Sequence, residues 1–428
     1  MRVLTLAVCC AALSAGVQQP PPDMNSISEQ YVKLVLAVGQ HDADYVDAYY
    51  GPAEWKPGDK DKASLDVLGT RAAALLEKVR AQSVLGGAKP AGELERLRLQ
   101  YLERQLASLS ARVRMLEGER LSFDEESKAL YDAVAPTLPE SHFQEILAKL
   151  EKRFPGDGPL SARLEAFRKR FVIPREQLDG VFQTAIRACR ERTARHITLP
   201  PDERFTVEYV TGKSWSGYNW YQGNFRSLIQ VNTDLPIFID RAIDLACHEG
   251  YPGHHVYNVL LEKHLVRDRG WKEFTVYPLF SPQSLIAEGT ANYGIEMAFP
   301  GPERVAYERA VLFPAAGLNP ASAPEYYEVQ ELVERLAYAG NEAARRYING
   351  GFTREQAASW LERYALMSKE RAMQRVRFFD QYRSYVINYN LGKDMVRRYI
   401  EKHGKDSAKR WDVFEKLLSS PRLPSSLE

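Results

Sequence analysis

Cysteine is scarce in this chain. There are four in 428 residues, and two of them, Cys9 and Cys10, fall within the first ten. A disulfide scaffold is excluded for so long a chain. The other two, Cys189 and Cys247, read as buried free thiols, with a pair between them as the alternative. Charge imbalance is also missing, since 57 basic and 56 acidic residues leave a formal charge of +1. Nothing therefore argues for nucleic acid or an anionic membrane as a partner. No apolar run reaches the roughly 20 residues that a spanning helix needs. No internal repeat of fixed period is visible. Histidine is rare, eight in the whole chain, so where the histidines fall is informative.

What is present is ordinary soluble composition, 45% apolar and 26% charged, with ample length for a core and a cleft. The length suits two or three units or one large helical body. Met1-Arg2 precedes an uncharged run, VLTLAVCCAALSAG, and then small residues. This predicts a secretory signal peptide over residues 1–16 and a periplasmic or extracellular protein. A lipid-anchored Cys9 or Cys10 is the alternative. Proline-rich residues 17–25 read as a linker.

Apolar spacing of three and four predicts helices over Ser26 to Val38, Lys60 to Gln82 and Glu93 to Glu117. A further helical stretch from Leu160 to Arg195 is interrupted near Pro174, so residues 26–198 form an N-terminal helical region. Residues 199–428 form a second region. There RFTVEYV and SLIQVNTDLP are strand-like, predicting an antiparallel β-ribbon over 204–234, after which helical patterns resume. The predicted fold class is mainly α: a large helical body around a deep cleft, with the ribbon beside an interrupted metal-binding helix.

The interruption is ACHEGYPGHH, residues 246–255. It begins like the zinc motif H-E-x-x-H, but Pro252 stands where the second histidine belongs. Ile239, Ala242, Ile243 and Ala246 share one helix face. Pro252 would drive its ring into the carbonyl of His248, so the helix must kink or stop there. Gly253 permits a turn with φ > 0. On an unbroken helix His254 would point about 120° away from His248 and lie about 9 Å along the axis. His255 would share the face of His248 but sit about 10.5 Å away. A break removes both limits, and geometry alone leaves His254 and His255 as rivals. Downstream, AEGTANYGIEMAF places Glu288 and Asn292 on one helix face. Catalytic zinc usually takes three protein ligands and a water; Glu288 is a candidate third ligand, and an ordinary amphipathic helix with one exposed glutamate is the alternative.

Together, HEGYPGHH (248–255) and EGTANY (288–293) resemble the bacterial proteins grouped as domain of unknown function 885. Those proteins show H-E-x-x-P-G-H-H and, later, E-G-W-A-x-Y, and are classed with gluzincin-like zinc metallopeptidases. The likeness runs from about residue 25 to 420, and Tyr389 and Gly392 in YRSYVINYNLGKDM match a late helix of the family. The resemblance implies Zn2+ held by His248, His254 and Glu288, with His254 preferred to His255. Thr290, Tyr257 and Tyr385 depart from the family pattern and alter the walls of the site.

The chemistry that follows is hydrolysis of a peptide bond by zinc-activated water, with exopeptidase action as one form. Glu249 is expected as general base and then proton donor. Tyr389 and Arg383, then Tyr385, are candidates to steady the oxyanion. Asp244 and Asn292 are placed to orient ligands. Tyr218, Asn224, Arg226 and Asn232 are candidate substrate contacts, and Ser227 to Asn232 a strand for pairing with extended substrate. A zinc hydrolase of another amide or ester, or a non-catalytic binding protein, is the alternative. Glu249 argues against the latter, because a structural zinc site needs no such carboxylate.

Overall fold

The computed structural model describes residues 23–85 and 92–428. The expected signal peptide, the lipid-anchor alternative and most of the linker lie outside them. Met24 and Asn25, counted with the linker, already belong to the first helix.

The first half contributes α1 (Met24–Gly39), α2 (Leu65–Leu85), α3 (Glu93–Leu116), α4 (Phe123–Tyr131), α5 (Glu140–Arg153), α6 (Leu160–Arg168) and α7 (Leu178–Ala194). The helical stretch that ends at Arg195 divides around Pro174, as its missing N–H and fixed φ require. The second half contributes α8 (Asp240–Leu245), α9 (His254–Leu261), α10 (Pro282–Ala298), α11 (Gly301–Tyr307), α12 (Phe313–Ala315) and α13 (Ala323–Glu334). It closes with α14 (Ala339–Ile348), α15 (Arg354–Tyr364), α16 (Lys369–Tyr382), α17 (Ile387–His403) and α18 (Ser407–Leu418). Capping boxes start two of these helices, Ser122 with Glu125 at α4 and Thr353 with Gln356 at α15. Each box satisfies backbone N–H groups that the helix itself cannot. No helix among the described residues is long and apolar enough to cross a membrane.

The chain is mainly α, with the expected small antiparallel ribbon. Strands β3 (Gly217–Gly223) and β4 (Arg226–Asn232) pair antiparallel through a two-residue turn. Asn224 and Phe225 have φ of 54° and 59°, the left-handed conformation that a tight hairpin needs at both central positions. Strand β2 (Arg204–Val210) adds to the other side of β4, giving the order β2-β4-β3. The two stretches read as strands, β2 and β4, thus pair in parallel, and the antiparallel partner is β3, which the sequence did not mark. A separate pair was not expected. Strand β1 (Val46–Tyr49) runs antiparallel to β5 (Val276–Pro278).

One continuous apolar core runs from Ile27 to Leu427 and joins both regions. Polar ties reinforce it, notably the buried Glu273, which pairs with Arg98 of α3 and accepts from Ser28 of α1. The free-thiol expectation fails. Cys189 on α7 and Cys247 are joined by a disulfide with a Cα–Cα distance of 5.7 Å. Both face the seam between α7 and the segment after α8, where the packing brings them together although 58 residues separate them.

Candidate metal centre

The helix that carries the motif does break. After α8 the residues Ala246–Gly250 widen into a π-helical turn, a feature frequent at functional sites. The chain then leaves the helix at Tyr251, and α9 starts at His254. Gly253 donates its N–H to the carbonyl of Cys247 at 2.9 Å. A Cβ on Gly253 would stand 1.8 Å from the carbonyl oxygen of His248, so only glycine fits. The positive φ that a glycine permits is not used here, since φ is −76°. What the position requires is close backbone approach, not a left-handed turn.

This fold-back brings His254 to His248. Their Nε2 atoms lie 3.1 Å apart, with the rings perpendicular. Glu288 of α10 completes the group. Its Oε2 is 3.3 Å from Nε2 of His248 and 3.8 Å from Nε2 of His254. That buried oxygen accepts no hydrogen bond from any described residue, which is costly unless another partner takes its lone pairs. Zinc with bonds of about 2.0–2.1 Å holds tetrahedral ligands roughly 3.3 Å apart, and the three observed edges bracket that value. The residues therefore fit a zinc ion.

Surrounding groups hold these atoms in place. Asn292 donates Nδ2–H to the Tyr389 carbonyl and presents Oδ1 to Nδ1 of His248 at 3.2 Å. With Nδ1 as the donor there, Nε2 of His248 keeps a lone pair for the centre. Tyr385 donates to Oε1 of Glu288 at 2.8 Å. That contact depends on how α10 and α17 cross. A Cβ on Gly289 would meet the Gly392 carbonyl at 2.5 Å, and one on Gly392 would meet the Leu285 carbonyl at 2.8 Å. Two glycines let the backbones touch, which carries Tyr385 and Tyr389 up to the glutamate next to Gly289.

Glu249 stands beside the centre. A ligand atom from each of His248, His254 and Glu249 lies within 4.8 Å of the other two. Glu249 is thus a rival carboxylate ligand, but Glu288 has the free oxygen aimed at both rings. Oε1 of Glu249 packs so closely on Gly217 that a Cβ there would lie 2.7 Å from it. Asn219 donates to its backbone carbonyl at 2.7 Å. Burial, with the Glu288 charge adding to it against His248, pushes the Glu249 carboxyl up to about 7. Burial works against Glu288 as well, but contacts with both histidines and Tyr385 win and lower it. Burial and the neighbouring His248 push His254 down to about 4.

His255 belongs elsewhere. It is fully buried, with Nδ1 2.9 Å from Ser227 Oγ and Nε2 2.9 Å from Glu203 Oε2. Tyr251 and Arg190 also bind Glu203. Both ring nitrogens are occupied, so His255 fastens the break to the sheet and is no rival ligand.

The centre opens on a cleft of about 1520 Å³, larger than the roughly 300–1,000 Å³ of small-molecule sites. Tyr389, Tyr385 and Tyr218 line it. Several other expected site residues do not. Arg383 turns away to pair with Glu126 at 2.6 Å. Asn224 sits in the hairpin turn and accepts from Arg267. Asn232 donates to the Lys213 and Trp215 carbonyls and so shapes a loop. Arg226 is exposed on β4, outside the cleft lining. Asp244 reaches the cleft, but it pairs with Arg304 at 2.8 Å and Arg241 at 3.2 Å and makes no hydrogen bond to a histidine. Strand β4 is flanked on both sides, so Ser227 to Asn232 have no free edge for substrate. The edge strands are β2 and β3; of these, β3 packs beside β1 and lines the cleft with Gly217 to Tyr221.

Among the lining residues that escaped the sequence reading are Asp47 and Arg375. Asp47 of β1 accepts from Tyr218 at 2.6 Å. Burial, with the Glu288 charge adding to it against the Tyr218 hydrogen bond, pushes it up to about 7. Arg375 of α16 packs on the Tyr389 ring. A short unpredicted strand and a helix crowded with arginines offered no signal for either.

No family model matches the chain, and no curated protein matches it. Among solved structures, a candidate lipoprotein from Colwellia psychrerythraea aligns with a TM-score of 0.49 and 16% identity, over 87% of this chain and 69% of that one. A candidate lipoprotein of unknown function from Shewanella oneidensis aligns with a TM-score of 0.46 and 15% identity, over 85% of this chain and 71% of that one.

Proposed function

We propose that the chain is a zinc-dependent metallopeptidase of the gluzincin-like kind that its motifs resemble. One observation carries this reading. Nε2 of His248, Nε2 of His254 and the unpartnered Oε2 of Glu288 converge within 3.8 Å, with a second carboxylate, Glu249, beside them. Bound by those three atoms, zinc supplies a water of lowered pKa and a Lewis acid for the carbonyl.

The chain's own groups do the rest. Glu249 takes a proton from the attacking water and returns it to the leaving amine. Asn292 and Tyr385 hold His248 and Glu288 in their ligating orientations. Tyr389, at the cleft wall between Tyr385 and Arg375, is the hydroxyl available to the developing oxyanion. The residues of β3 that line the cleft, Gly217 to Tyr221, are the strand available to an extended peptide backbone. The size of the cleft favours a peptide over a smaller amide.

The test combines metal and activity. Elemental analysis should give about one zinc per chain for the unaltered protein and for His255→Ala, and none for His254→Ala. A mixed peptide pool should be cleaved by the unaltered protein and not by Glu249→Gln, which should keep its zinc. Full hydrolysis by Glu249→Gln would sink the mechanism.

A further inference from the structure

The charged groups of the cleft are not all alike. Most are answered within the protein. Asp244 pairs with Arg241 and Arg304, Glu296 with Lys393 and Arg397, and Asp47 with Tyr218. Arginines of the lining without a counter-charge include Arg168, which rests on the Phe238 ring, and Arg375, which stands nearer the tyrosines of the candidate centre. Among the described residues Arg375 forms no ion pair and no hydrogen bond, although it is partly buried in the cleft wall. Its contacts are with rings: the guanidinium carbon lies 4.5 Å from the Phe378 ring centre, 5.6 Å from Tyr389 and 5.8 Å from Phe379.

A guanidinium held by its faces keeps its edge N–H groups free, and these match a carboxylate two at a time. The Arg375 nitrogens are not among the buried atoms left without a partner; they reach the cleft and stand open to an anionic partner that arrives from outside. Its position is also telling. The Tyr389 ring beneath it is 5.8 Å from Tyr385, whose hydroxyl binds the candidate ligand Glu288. Arg375 thus stands two aromatic rings from the metal centre. Arg371, one turn earlier on α16, lines the same wall and also lacks an ion pair. It is, however, tied to the Pro236 carbonyl at 3.1 Å.

We infer that Arg375 receives the free α-carboxylate of the substrate, so that the site selects peptides by their C-terminal end. This rests on the peptidase reading above and specifies its substrate class. The guanidinium grips the chain end, while the scissile carbonyl lies at the centre beyond Tyr385. Arg375 is a binding residue in this account and takes no part in bond breaking.

Binding can be read separately from hydrolysis. The zinc-loaded full chain with Glu249→Gln is titrated calorimetrically with trialanine, with trialanine amide and with Ala-Glu-Ala amide. Trialanine should bind on the order of 10- to 100-fold more tightly than either amide, the worth of a charged hydrogen-bonded pair. Adding Arg375→Gln, or Arg375→Met to keep the stem packed on the rings, should erase that preference. The affinity for trialanine amide and the zinc content should not change. Equal binding of acid and amide, or a preference that survives both substitutions, would overturn the inference. Tight binding of Ala-Glu-Ala amide would overturn it too, by assigning Arg375 to a side-chain carboxylate. Hydrolysis that ignores the chain end would leave the peptidase standing without this site. Acid-selective binding with no hydrolysis would keep the site and remove the peptidase.

Discussion

His254 and His255 are neighbours in the chain and opposites in the fold. Each faces a buried glutamate, Glu288 for the first and Glu203 for the second. Around His255 every polar atom has an answer. Ser227 and Glu203 take its two nitrogens, and Tyr251 and Arg190 share the glutamate. Around His254 the answers stop short, since its Nε2 meets another imidazole nitrogen and a carboxylate oxygen with no hydrogen bond. A closed network stabilises a fold. Convergent lone pairs left without donors are what a metal ion requires. The same residue types a single position apart thus form a fastening in one case and a candidate metal site in the other.

Four experiments probe that contrast. The largest effect is expected from Glu249→Gln, which should lower peptide hydrolysis by on the order of 10²–10⁴-fold, the usual weight of a positioned general base. Steady-state rates on a peptide pool check it. Next is the disulfide, which fastens the residue before His248 to α7 and so underlies both networks. Replacing Cys189 and Cys247 by alanine opens a 58-residue separation, and the unfolded chain then regains freedom worth about 4 kcal/mol. Denaturant unfolding of the double variant beside the oxidised protein measures this.

His255→Ala should then separate the two networks. It leaves Ser227 and Glu203 short of a partner and should lower stability by about 1–3 kcal/mol, with zinc content unchanged. A fall in zinc with no fall in stability would reverse the roles assigned to the two histidines. Asn292→Ala should have the subtlest effect. The fold should survive, while zinc affinity falls by roughly 10- to 100-fold as His248 loses its orienting acceptor. Competition with a chelator of known affinity reads that change.

Much of the architecture was legible in the sequence. Helices with apolar spacing over long windows, the ribbon with its β-branched alternation, and the break at Pro252 were all readable because each rests on local chemistry. The short β1 and β5 were not, since three or four residues carry no usable period. The direction of β2 was not either, because strand pairing depends on where the chain returns. The site divides in the same way. Glu249 and the pairing of Glu288 with Asn292 could be read from spacing along a helix. Arg383, Asn224, Arg226 and Asn232 could not be judged, because polar side chains near a motif carry no mark of the direction they face.

By itself the sequence determined that a helix must stop between His248 and His254, since proline cannot donate and its ring cannot fit. It also determined that a glutamate sits beside the first histidine and that another lies within a later helix. Only the tertiary structure decided which histidine meets Glu288. That choice lies in the contact between Gly253 and the His248 carbonyl, in Glu203 claiming His255, and in the crossing of α10 and α17 at Gly289 and Gly392. These are distances between segments far apart in the chain, and local propensity holds no information about them.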